Sequence, residues 1–148
     1  MIRIKPSRKN ERGATLVEFA IAATVFLTAM FAILEFGRAL WVHNALTDAA
    51  RRGARYAVIH RSSDIDSVKN VVVYGDPAGG TQPLVENLTT ANVTVNYNNF
   101  SLNSGTVSVG ITNYQFQFVL PFMGTTITMP NYNTTLTAES VGLVPANL

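Results

Sequence analysis

The sequence predicts an α+β protein: one long N-terminal helix, apolar in its lower half, followed by a small antiparallel β-sheet. Three observations carry this expectation. A 21-residue apolar run from Ala14 to Leu34 leads into a stripe of small apolar residues with helical spacing, and no proline falls between Pro6 and Pro77. From about Arg61 the composition turns to Thr, Asn, Gly, Val and aromatics with period-2 alternation, which suits strands and turns. Five of the eleven basic residues (Arg3, Lys5, Arg8, Lys9 and Arg12) precede the apolar run.

At 1.5 Å rise per residue the run spans roughly 30 Å, the hydrocarbon thickness of a bilayer. Thr15, Thr24 and Thr28 interrupt it without breaking it, because each hydroxyl can bond a carbonyl one turn back. A secretory signal peptide fits less well. Its apolar region runs about 7–15 residues, and the small-residue triplet Ala20-Ile21-Ala22 lies in the middle of this run rather than after it. With five cations ahead of it, the positive-inside rule places the N-terminus in the cytoplasm and everything after Leu34 outside.

Beyond Glu35 the residues Val42, Ala45, Leu46, Ala49, Ala50, Gly53 and Ala57 form a 3.6-period stripe, with Asp48, Arg51, Arg52 and Arg55 around the other side. Asp48 and Arg52 stand at i, i+4 spacing and are expected to pair. One continuous helix from about Ala14 to Ile59 follows. Its upper half is expected to pack on the sheet, since a lone sheet needs a cover.

Ser63 or Asp64 is expected to cap a short second helix carrying Ile65, Val68 and Val72, which Gly75-Asp76-Pro77 ends. Strand candidates are Val93-x-Val95-x-Tyr97, Val107-x-Val109-x-Ile111, Tyr114-x-Phe116-x-Phe118-x-Leu120 and Ile127-x-Met129, with a weaker fifth from Leu136 to Val141. Turn residues at Asn103-Ser104-Gly105, Asn113, Met123-Gly124 and Pro130-Asn131 separate them. The short separations predict an antiparallel meander with one polar and one packed face. The organisation is therefore a basic cytoplasmic leader over 1–13, a helical segment over 14–60 with 14–34 in the membrane, and an extracytoplasmic β-rich domain over 61–148.

The formal charge of +2 is misleading as a nucleic-acid signal. Without residues 1–13, six basic and eight acidic side chains remain, a weakly acidic protein carrying a basic tag. A phosphate-binding face needs cations spread over a folded surface, so no nucleic-acid partner is expected. The absence of cysteine removes disulfides, thiol chemistry and Cys-based zinc sites. His43 and His60 lie seventeen residues apart, about 25 Å along a helix, too far to share a metal or a proton. There is no Walker loop, G-x-S-x-G or H-E-x-x-H motif. The glycines between Gly75 and Gly80 do not open a helix after a strand, as a phosphate cradle requires. The sequence thus predicts no enzyme, no cofactor, no metal and no small-molecule substrate.

One residue stands out against this background. Glu18 lies four residues into the membrane-length run, among Leu16, Val17, Phe19 and Ile21. An ionised carboxylate there costs a few kcal/mol or more unless paired, which makes it a functional candidate. Cleavage after Gly13 would create an amine on Ala14, a cation that could pair with Glu18 of its own helix or of a neighbouring one. Glu35, at the far end of the run, is expected where water reaches it.

The segment Gly13-Ala14-Thr15-Leu16-Val17-Glu18-Phe19 resembles the class III signal of type IV pilins and pseudopilins. Ala14 departs from their usual Phe or Met, and the kinking proline of their first helix is missing. Arg12 to Ala20, Glu35-Phe36-Gly37-Arg38-Ala39-Leu40 and Ala49-Ala50-Arg51-Arg52-Gly53-Ala54-Arg55-Tyr56-Ala57 together look like the TadE-like family, pseudopilins of the tight-adherence (Tad or Flp, type IVc) pilus system. The resemblance implies cleavage between Gly13 and Ala14 by a prepilin peptidase, with Glu18 acting in assembly. It also implies an inner-membrane pool and other pilins and pseudopilins as partners. Major Flp pilins are essentially one helix, so the added β-domain points to a minor pilin. Another type IV pilin, a type II secretion pseudopilin and a plain membrane-anchored extracytoplasmic binding domain are the other readings.

Overall fold

The structure, a computed structural model, describes residues 11–60, 62–101, 104–119 and 126–138. Most of the basic leader, Arg61, Asn103, Leu120, the Met123-Gly124 turn and the end of the fifth strand candidate (139–141) lie outside the described residues. The chain forms two compact units, Met1–Arg38 and Ala39–Leu148. Helix α1, Glu11–Ile59, contributes to both.

In the first unit α1 presents apolar side chains outward on all sides: Phe19 is 71% exposed and Phe26 68%, with Leu16, Ile21, Val25 and Ile33 comparably open. Among the described residues it is the one helix long and apolar enough to cross a membrane. Such a surface is costly in water and suited to lipid. Thr24 Oγ1 donates to Ala20 O and Thr28 Oγ1 to Thr24 O, each at 2.8 Å, the one-turn-back bonds that keep hydroxyls satisfied in an apolar medium.

In the second unit the remainder of α1 turns amphipathic. Val42, Leu46, Ala49, Ala50, Ala54, Ala57 and Val58 are buried in one core with residues of a second helix and four strands. Helix α2, Ile65–Tyr74, buries Val68, Val71, Val72 and Val73. Asp64 occupies its N-cap position, but its side chain makes no cap bond and instead accepts from Ser63 Oγ at 3.1 Å, so the expected side-chain cap is not formed. Gly75 ends α2 at φ 80°, its N–H donating to Val71 O at 3.0 Å, a left-handed close that glycine adopts without a Cβ penalty.

Strands β1 (Val93–Ser101), β2 (Ser104–Ile111) and β5 (Tyr132–Thr137) form one antiparallel sheet in the order β1-β2-β5. Val93 pairs with Ile111, and Ile111 in turn with Tyr132. Val107, Val109 and Ile111 alternate inward on β2, as period 2 requires. Strands β3 (Gln115–Gln117) and β4 (Thr126–Thr128) form a separate two-stranded sheet that buries Phe116.

This corrects the expected single meander. The chain leaves the first sheet after β2, makes the β3–β4 hairpin, and returns with β5 beside β2. The fifth strand also begins at Tyr132 rather than near Leu136, because β5 meets β2 in register from Ile111 to Thr106. The expected Asp48–Arg52 pair is replaced as well. Asp48 lies 3.9 Å from Arg51, while Arg52 Nε turns to α2 and donates to Val71 O at 3.4 Å.

Three further contacts tie α1 to its cover. Gly53 lies against Val72 and Val109. The Tyr97 hydroxyl donates to Ala57 O at 3.4 Å. His43 Nδ1 and the Tyr132 hydroxyl share a hydrogen bond of 2.9 Å, and burial pushes the Tyr132 phenol above its ordinary value. The core is thus apolar, and the Arg51–Asp48 pair is long and exposed. A fragment beginning at Ala39 is expected to fold with strand content. Exposed pairs are worth under about 1 kcal/mol and are screened, so its cooperative unfolding by circular dichroism should survive about 1 M salt. Loss of the transition at that salt would overturn the apolar account.

Candidate functional site at the head of the N-terminal helix

Gly13, Ala14 and Glu18 all lie in the first two turns of α1 and are exposed. Positions i and i+4 share a helix face about one turn apart, so Glu18 stands over Ala14. A shallow groove is lined by Gly13, Ala14, Val17, Glu18, Ile21 and Ala22. Its walls are small or aliphatic, and Glu18 brings the one charge among them. A Cβ added to Gly13 would meet nothing within 4 Å, so no packing inside the chain demands glycine there.

The carboxylate of Glu35, farther along the same unit, behaves differently. Glu35 is only 7% exposed, and its Oε1 accepts from Arg38 Nη2 at 2.6 Å. The sequence reading put Glu35 in reach of water. The i, i+3 ion pair instead folds the charge against the helix, leaving Ile33, Leu34 and Phe36 as the outward surface. Pairing lowers the cost of carrying this carboxylate beside an apolar surface. The spacing Glu35-x-x-Arg38 was the available signal. Glu35→Ala would leave Arg38 without its carboxylate, so it is not the mild change that an exposed glutamate would allow.

The chemistry-bearing residues elsewhere are spoken for or solitary. His43 shares its bond with Tyr132, and His60 Nδ1 approaches Tyr56 O at 2.9 Å with its ring stacked on Tyr56. No group of three or more His, Cys, Asp or Glu side chains that could hold a metal ion occurs among the described residues. Arg51, Arg52 and Arg55 line a shallow concavity with Asp48 on the solvent side of α1.

No curated protein and no solved structure matches the chain. From Gly13 at the head of the helix to Arg55 in the cationic cluster, residues 13–55 match the family model described as TadE-like protein.

Proposed function

We propose that the chain is a minor pilin or pseudopilin that takes part in assembling a Tad-type (type IVc) adhesion pilus. The observation that carries this reading is the TadE-like match over residues 13–55, which begins at Gly13 and includes Ala14 and Glu18 on one exposed helix face. The basic leader stays in the cytoplasm, the run 14–34 spans the inner membrane, and the β-rich part lies outside. A prepilin peptidase cuts after Gly13. The new Ala14 ammonium then pairs with Glu18 of its own or a neighbouring helix as subunits join other pilins and pseudopilins. The protein acts by position and contact, with no catalytic step.

Processing is the direct test. Mass spectrometry of the protein from its native cell is expected to give a mature N-terminus at Ala14. Gly13→Leu, which nothing in the fold resists, is expected to leave a full-length membrane form. Retention of Arg3 to Arg12 in the wild-type protein would instead make the chain a plain membrane-anchored extracytoplasmic domain.

A further inference from the structure

A second groove lies in the other unit, about 340 Å³ in volume, at the low end of the roughly 300–1,000 Å³ typical of small-molecule sites. Asn87, Thr89 and Asn92 form one wall, ahead of β1. Asn113 and Gln115 form the floor, and Gln117 with Thr126 completes it on the β3–β4 hairpin. Every one of these side chains is a neutral amide or hydroxyl. No charged and no apolar residue lines it among the described residues.

The walls are fixed by their own bonds. Asn92 spends its whole side chain on the frame: Oδ1 accepts from Thr89 N at 3.1 Å and from Thr89 Oγ1 at 2.8 Å, while Nδ2 donates to Thr112 O at 3.1 Å and Asn113 O at 3.2 Å. The Tyr114 hydroxyl donates to Glu86 O at 2.7 Å, and Thr112 N donates to Asn92 O at 2.8 Å. The segment ahead of β1 is thereby held against the start of β3. The amides of Asn87, Asn113 and Gln115 take no part in this frame and are exposed. Each offers two N–H donors and a carbonyl acceptor.

We propose that this groove binds a short neutral saccharide. Hydroxyls that both donate and accept are the natural complement of side-chain amides that do the same. A charged ligand would find no counter-charge, and an apolar one would leave the amides unpaired, which is costly once water is excluded. A peptide strand is disfavoured too, since none of the described lining residues is apolar to receive alternating side chains. Among the described residues no aromatic side chain lines the groove to stack on a sugar ring, so weak binding, on the order of millimolar, is expected. The site binds without turnover, and the proposal holds whether or not the chain is cut after Gly13.

The test is saturation-transfer difference NMR on the full chain in lipid nanodiscs, which avoids sugar-headed detergents. Methyl glycosides of neutral hexoses and N-acetylhexosamines are titrated alongside citrate and a Gly-Ser peptide. At least one glycoside is expected to give ring-proton transfer that saturates in the millimolar range and is insensitive to salt. In the double variant Asn113→Gly, Gln115→Ala its affinity should fall about tenfold or more, the loss expected for two neutral hydrogen-bonding groups. Glycine keeps the positive φ of 55° at position 113, and an unchanged circular dichroism spectrum confirms that the variant is folded. Saturable transfer to citrate or the peptide alone, no transfer to any glycoside, or equal glycoside binding by the folded double variant would each overturn the proposal.

Discussion

Gly53→Val is expected to remove most of the stability of the second unit. A Cβ at position 53 would run into Val72 Cγ2 and come within 3.2 Å of Val109 Cγ1. Both neighbours are 0% exposed. Val72 is β-branched and sits on a helix, where one rotamer is strongly preferred, so it cannot swing aside cheaply. Alanine would recover about 1 kcal/mol of helix propensity, but overpacking a well-filled core costs about 1–3 kcal/mol. Gly53→Ala should therefore lower stability modestly. Valine adds two more methyls to the same crevice and removes most of a margin that is typically about 5–15 kcal/mol. Urea titration of the fragment from Ala39, followed by circular dichroism, reads both variants. Pairing Gly53→Ala with Val72→Ala should restore part of the loss, because the second change vacates the volume that the first one fills. An unchanged midpoint for Gly53→Val would mean that α1 and α2 do not approach as described.

Glu18→Ala is expected to stop pilus assembly while leaving abundance, cleavage and folding alone. The residue lies in the first unit, so the core of the second does not sense it. Membrane insertion should if anything become easier, since a costly charge is removed. On the proposed reading, what disappears is the counter-charge for an Ala14 ammonium within an apolar helix bundle. Leaving one member of such a pair buried and alone costs about 3–5 kcal/mol, enough to cut a subunit's incorporation by two or more orders of magnitude. Glu86→Ala removes the same charge from an exposed position of the second unit and should pile normally. Piliation assays on the two variants decide the matter, and wild-type pili with Glu18→Ala would reduce Glu18 to a glutamate that merely reaches toward water.

The long helix was legible because its signal repeats. Val42, Leu46, Ala49, Gly53 and Ala57 each add to one periodicity, and every one of them is buried. The strands of β1 and β2 were legible for the same reason at period 2. Strand β5 was not, because Tyr132-Asn133-Thr134-Thr135-Leu136-Thr137 lies at a sheet edge and presents few apolar residues to alternate. The meander failed since sequence separation says how far a chain can reach, not which edge it meets. Arg52 lost Asp48 to a backbone carbonyl of α2 that no local spacing reveals. At the head of α1 the residue types, not a periodicity, are what single out Gly13, Ala14 and Glu18 as candidates. The amide groove was invisible in the sequence. Its lining is drawn from residues 87 to 126, and each stretch alone reads as ordinary turn chemistry.

The return of β5 to β2 also sets an order of events during synthesis. In a chain that grows from its N-terminus, the β1–β2 hairpin is available before the partner of its second edge, Tyr132–Thr137. Through that interval β2 offers an open row of backbone groups flanked by Val107, Val109 and Ile111, the kind of edge on which unfinished chains join one another. The last strand therefore acts as the seal of the sheet. Tyr132 completes it twice, pairing with Ile111 on β2 and bonding to His43 on a helix made some ninety residues earlier. A chain cut short between Thr112 and Asn131 would keep β1 and β2 but leave the second edge of β2 uncovered.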